Sequence, residues 1–182
     1  MSSHEFAVAT PRLVDIYLEA MKYDPAIRQN RIDVWRREVS QPGFAALCAV
    51  MDGRIIGLAY GYLGSPDHWW DRQIRRGLRE RGGPDAGEQA LLRDYFEIAE
   101  IHVLPAAQGH GVGRRMITGL LRATSASRAL LSTPEVPGER NHAFSLYRSL
   151  GFTDLIRDFH FDGDRRPFAI LKVTLPLVER PS

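Results

Sequence analysis

Apolar residues recur along this chain at two periods, and the switches between them predict its elements. Phe6, Ala7, Val8 and Ala9 read as a short strand, and Thr10-Pro11 follows as a helix N-cap with proline at the first helical position. Leu13, Ile16, Tyr17 and Ala20 then share one helix face as far as Lys22. A second helix, over about 25–39, sets Ile27, Ile32, Trp35 and Val39 on its apolar side. Two apolar runs, 44–51 and 54–63, flank Asp52-Gly53, a hairpin-turn dipeptide. Residues 64–93 are irregular. Gly64-Ser65-Pro66 opens the segment and Gly82-Gly83-Pro84-Asp85-Ala86-Gly87 closes it, with a helix expected at about 67–81 between them. A strand is expected at 96–104, and Met116, Ile117, Leu120 and Leu121 mark a helix beyond it. Ala143, Leu146, Tyr147 and Leu150 fall at i, i+3, i+4 and i+7 on one face of a later helix, which Gly151 ends. Two closing antiparallel strands are expected at 153–161 and 168–175.

The chemistry concentrates where the strand at 96–104 runs through Pro105 into Gln108-Gly109-His110-Gly111-Val112-Gly113-Arg114-Arg115. Strand, glycine loop and helix N-terminus in that order make an anion trap. The first helical amides have no intrahelical partner, the macrodipole adds positive charge, and glycines let a phosphate approach the backbone. A P-loop would need Lys-Ser or Lys-Thr after its last glycine, and here Arg114 follows Gly113. A dinucleotide fingerprint would space its glycines as Gly-x-Gly-x-x-Gly, whereas Gly109, Gly111 and Gly113 alternate.

The loop's pattern, Gln-x-x-Gly-x-Gly, resembles the pyrophosphate loop of the GNAT superfamily of acyl-CoA-dependent N-acetyltransferases. Asn141-His142-Ala143-Phe144-Ser145-Leu146-Tyr147-Arg148-Ser149-Leu150-Gly151-Phe152 resembles the same family's second signature, Asn-x-x-Ala-x-x-x-Tyr-x-x-x-Gly-Phe, matching it from Ala143 to Phe152, with Asn141 one residue nearer the alanine than that pattern has it. The resemblance covers roughly 5–62 and 94–175. It implies one α/β (α+β) domain over 1–182, in which a central, mixed, mostly antiparallel twisted sheet is flanked by helices. Residues 64–93 would be a lid-like insertion beside the acceptor.

Composition is that of an ordinary soluble globule. The 182 residues are 44% hydrophobic and 25% charged, with a formal net charge of +2, a near balance that argues against a dedicated nucleic-acid binder. No apolar run reaches transmembrane length and the N-terminus has no signal pattern. The one cysteine, Cys48, lies in an apolar run and reads as inert core, which suits a reducing cytoplasm. No His/Cys/Asp cluster has ligand spacing, so no metal is implied.

The resemblance also assigns roles. Acetyl-CoA would be the co-substrate, its pyrophosphate held by amides of Gly109, His110, Gly111, Val112, Gly113 and Arg114, with Gln108 beginning the motif. Gly109 and His110 stand where many members carry basic residues, and Arg114 and Arg115 could compensate. Backbone groups of Ile101, His102 and Val103 would pair with the pantetheine arm as an added strand would, the Val103 amide donating to the thioester carbonyl. Glu97, six residues before Val103, has the spacing of the base in the histone-acetyltransferase branch; Glu100 is the alternative, with His102 behind it. Strand alternation puts Glu97 on one face and Glu100 with His102 on the other. Tyr147 would be the general acid, a phenol able to protonate a thiolate. Asn141 would either bond the pantetheine or cap its helix.

The acceptor, a small-molecule or protein amine, is open. Arg72, Arg75, Arg76 and Arg79 form a basic stripe in the insertion that could recruit an acidic acceptor, while Asp67, His68, Trp69 and Asp71 could instead hold a cationic one. A non-catalytic acyl-CoA-binding regulatory module is the alternative function. A homodimer is open too, since many members pair through their last strands.

Overall fold

Where the apolar tetrad 6–9 suggests a strand, the computed structural model, which describes residues 1–177, has a long helix, α1 (Ser3–Met21). A capping box upstream decides it: the Ser2 hydroxyl accepts from the Glu5 amide at 3.2 Å and the Glu5 carboxylate accepts from the Ser2 amide at 2.7 Å. Four apolar residues cannot distinguish strand from helix, and Phe6, Leu13, Ile16 and Tyr17 fall on one buried helical stripe. Pro11 therefore sits inside the helix rather than at its start. It has no N–H to offer Ala7, whose carbonyl accepts from Arg36 Nε at 3.3 Å.

The chain packs as two units, each built from separated stretches of sequence. The first holds Met1–Tyr62 and Ile98–Ser125, the second Leu63–Glu97 and the described residues from Ala126 on. Six strands form one sheet in the order β1-β2-β3-β4-β6-β5. They are β1 (Ala45–Met51), β2 (Arg54–Leu63), β3 (Phe96–Val103), β4 (Arg128–Pro134), β5 (Thr153–Phe159) and β6 (Phe168–Thr174). β1 and β2, β4 and β6, and β5 and β6 pair antiparallel, while β3 and β4 run parallel, so the sheet is mixed as expected.

In the first unit a 3-10 turn, Pro25–Ile27, leads into α2 (Arg28–Glu38). α1 and α2 bury Phe6, Leu13, Ile16, Ile32 and Trp35 with Leu58 and Tyr60 of β2. Asp52 and Gly53 have φ of 50° and 72°, the left-handed pair that a two-residue hairpin needs. β3 enters this unit at Ile98, and the Leu104 amide donates to the Ile56 carbonyl at 2.8 Å. α5 (Val112–Arg122) buries Val112, Met116, Ile117, Leu120 and Leu121. A Cβ at Gly119 would lie 2.8 Å from Leu47 Cδ1, so a larger residue there would have to displace the Leu47 side chain where α5 packs on β1.

The second unit gathers α3 (Trp69–Glu80), α4 (Ala86–Leu91), β4, β5 and β6 with α6 (His142–Ser149). α4 falls where a loop is expected. Its signal was present, because Asp85 and Glu88 form a second capping box. Ile74 and Leu78 of α3 pack with Leu91, Tyr95, Leu130, Ile156 and Phe159. Asp71 is fully buried, pairs with Arg75 and accepts from the Tyr95 hydroxyl at 2.8 Å. Asp71→Ala strands both partners and is expected to lower unfolding stability by about 3 kcal/mol, read as a lower urea midpoint with an unchanged slope.

Candidate functional site

The loop after β3 is shaped as an anion cradle. A 3-10 turn, Pro105–Ala107, turns the chain, and the Gln108 side-chain amide ties the loop to the end of the strand by donating to the Val103 carbonyl at 3.0 Å. His110 Nδ1 bonds the Gln108 carbonyl at 2.8 Å. Gly109 and Gly111 have φ of 80° and 73°, a region costly for most side chains. Gly111 is also the N-cap of α5, so no side chain caps the first amides of that helix. The first amide bonded back within the helix is that of Arg115, to the Gly111 carbonyl at 3.1 Å. Backbone amides at a dipole's positive end, beside glycines with no bulk, are what a pyrophosphate needs.

β3 carries the acidic candidates. The parallel ladder with β4 runs over Phe96↔Ala129 and Glu97↔Leu130, and Ile101, His102 and Val103 lie beyond it along the strand. Glu97 is buried with 5% exposure. Glu100 and His102 share a face, as alternation requires, and Glu100 Oε2 lies 2.6 Å from His102 Nε2. The His102 ring meets the Tyr17 ring edge-on at 4.9 Å. Burial, with the Glu100 charge behind it, pushes the Tyr17 phenol far up, so it stays protonated.

Sequence reasoning missed three side chains on this wall. Glu38, in the last turn of α2, accepts from the Tyr60 hydroxyl at 2.6 Å and from the Tyr62 hydroxyl at 3.5 Å. Burial is the main cause lifting the Glu38 carboxyl above its ordinary range. Two signals were legible: tyrosines two apart on one strand face, and a carboxylate at the wrong end of a helix dipole.

In the second unit, Asn141 caps α6 by accepting from the Phe144 amide at 2.8 Å, which is the capping half of its expected role. Tyr147 is buried, and its carbonyl accepts from the Phe152 amide at 3.0 Å while the Gly151 amide reaches the Arg148 carbonyl at 3.0 Å. With Gly151 at φ 89°, this is a Schellman closure that fixes the last turn carrying Tyr147. The insertion's basic stripe is partly consumed at home. Arg75 holds Asp71 and the Leu92 carbonyl, and Arg76 binds Glu80 and the His160 carbonyl and lies 5.0 Å from the Phe159 ring centre. The expected acidic pocket for a cation loses Asp71 to the core for the same reason.

Among the described residues there is no group of three or more His, Cys, Asp or Glu placed to hold a metal, and no helix is long and apolar enough to cross a membrane. Cys48 is half-buried rather than in the core, and burial pushes its thiol up.

The site thus joins a strand of a mixed sheet to a glycine-lined helix N-terminus. The family model described as acetyltransferase (GNAT) domain matches residues 42–154. The chain is 39% identical to a GCN5-like protein acetyltransferase of Mycobacterium tuberculosis, over 89% of each protein. It belongs to the GNAT acetyltransferase family. The fold also resembles the yncA structure from Salmonella typhimurium, solved with its cofactor acetyl-CoA (TM-score 0.60, 18% identity, 97% of this chain and 94% of that one). A second likeness is to the ribosomal-protein-S18-alanine N-acetyltransferase from Escherichia coli (TM-score 0.61, 14% identity, 96% and 93%).

Proposed function

We propose that this protein moves an acetyl group from acetyl-CoA to the nitrogen of an amine, small molecule or protein, by direct attack in a ternary complex. The observation that carries the reading is the first turn of α5, capped by no side chain and approached through Gly109 and Gly111 at positive φ. Amides at 109–114 would surround the pyrophosphate, and the extended backbone of Ile101, His102 and Val103 would align the pantetheine arm. Acetyl-CoA supplies the activated acyl carbon, to which the amine nitrogen bonds as the carbon–sulfur bond breaks.

The chain's part is positioning and proton transfer. The Val103 amide donates to the thioester carbonyl as negative charge develops there. The ammonium gives its proton to a β3 carboxylate. Glu100 is favoured over Glu97 by its 2.6 Å contact with His102, which links two proton-accepting groups. The departing sulfur takes its proton from the Tyr147 hydroxyl. Glu100→Gln is expected to lower kcat about 100-fold and to remove the acid limb of the pH–rate profile. Glu97→Gln should keep that limb; the mirror-image result would assign the base to Glu97.

A further inference from the structure

Between the edge of the sheet and the start of α5 lies a space that the transfer chemistry leaves unassigned. β1 is an edge strand, paired only with β2, and it runs from Ala45 to Met51 without a charge or a proline. Natural edge strands are usually blunted by such residues or covered. Val50 and Met51, at the end of β1, instead stay 62% and 54% exposed. They line a cleft of about 640 Å³ within the first unit, a volume typical of small-molecule sites.

The lining sets the chemistry of the occupant. Ile56 and Met116 are among its buried apolar members, and the two thioethers, Met51 and Met116, can repack around a flexible chain. No carboxylate lines the cleft, and its permanently charged side chain is Arg115. That guanidinium makes no hydrogen bond or ion pair among the described residues, whereas Arg28 of the same unit is held by Asp15 at 2.6 Å. Arg115 also stands beside the cradle, one of its nitrogens 3.4 Å from where a Cβ at Gly111 would lie.

We propose that this cleft binds an aliphatic carboxylate, its head group on the Arg115 guanidinium and its chain against Met51, Ile56 and Met116. A carboxylate meets the guanidinium fork with two charge-assisted bonds, and a neutral head group forgoes them. An ammonium would meet a like charge. The carboxylate and a pyrophosphate in the cradle draw on the same cation, so each weakens the other.

Titration of protein labelled at its methionine methyl groups with octanoate tests the site. The Met51 and Met116 signals should move and saturate with a Kd on the order of 0.1 mM, while Met21, packed against the core of α1 and α2, stays still. 1-Octanol keeps the chain without the charge and should bind about tenfold more weakly. Arg115→Gln should weaken octanoate about tenfold and erase that difference. Met51→Glu, read at Met116, should weaken it as much by setting a negative charge in the lining. Saturating acetyl-CoA should weaken octanoate about threefold without displacing it. Equal binding of acid and alcohol overturns the proposal, as does octanoate binding untouched by either substitution. So do Met51 and Met116 signals that never move, or a Met21 signal that moves as far. Complete displacement of octanoate by acetyl-CoA would give the cleft to the cofactor and overturn it as well.

Discussion

Gly111→Asp is expected to weaken acetyl-CoA binding at least 100-fold, while Gly111→Asn weakens it only about tenfold. The backbone at 111 has φ of 73°, and a Cβ there would lie 3.4 Å from an Arg115 guanidinium nitrogen. Asn and Asp are the residues that best tolerate this left-handed conformation, so both variants carry the same strain and nearly the same bulk. They differ by one negative charge at the uncapped start of α5. That charge would occupy the dipole's positive end in place of the pyrophosphate and repel it. Calorimetric titration of the two variants separates charge from space. Equal weakening would make the cradle merely steric, and wild-type affinity in the aspartate variant would place the pyrophosphate elsewhere.

Tyr147→Phe has the largest effect expected on chemistry alone: kcat should fall by about one to two orders of magnitude, with acetyl-CoA affinity within about twofold. The side chain is buried on a helix end fixed by the Gly151 and Phe152 amides, and its ring lies 5.8 Å from that of Phe152. Phenylalanine keeps that packing and loses only the hydroxyl. The deficit should appear in single-turnover rates as well as at steady state. A kcat that stays at the wild-type value would remove Tyr147 from proton transfer and leave it a packing residue.

The fold was legible wherever local chemistry decided it. Asp52-Gly53 dictated the hairpin, the loop glycines marked the start of α5, and Gly151 ended α6 where the face pattern stopped. It was illegible at 6–9, where a four-residue apolar run obscured the Ser2 capping box, and at α4, where Gly-Gly-Pro hid the Asp85 one. The site divided in the same way. The loop and the Glu100–His102 pair are contiguous in sequence and could be read from it. The Glu38 group was legible only in its separate parts, because the meeting of the end of α2 with two tyrosines of β2 is set by tertiary packing. The arginine stripe misled for a related reason. Spacing showed four cations on one face of α3, but not that Arg75 and Arg76 would be taken by Asp71, Glu80 and a backbone carbonyl.

Amide chemical shifts during an acetyl-CoA titration of the isotope-labelled wild-type protein test the central claim most directly. The account predicts saturable shifts concentrated at the amides of Gly109, His110, Gly111, Val112, Gly113 and Arg114, with a second set at Ile101, His102 and Val103. Saturable binding that leaves the α5 N-terminus unmoved, or no binding by the folded protein, would contradict it.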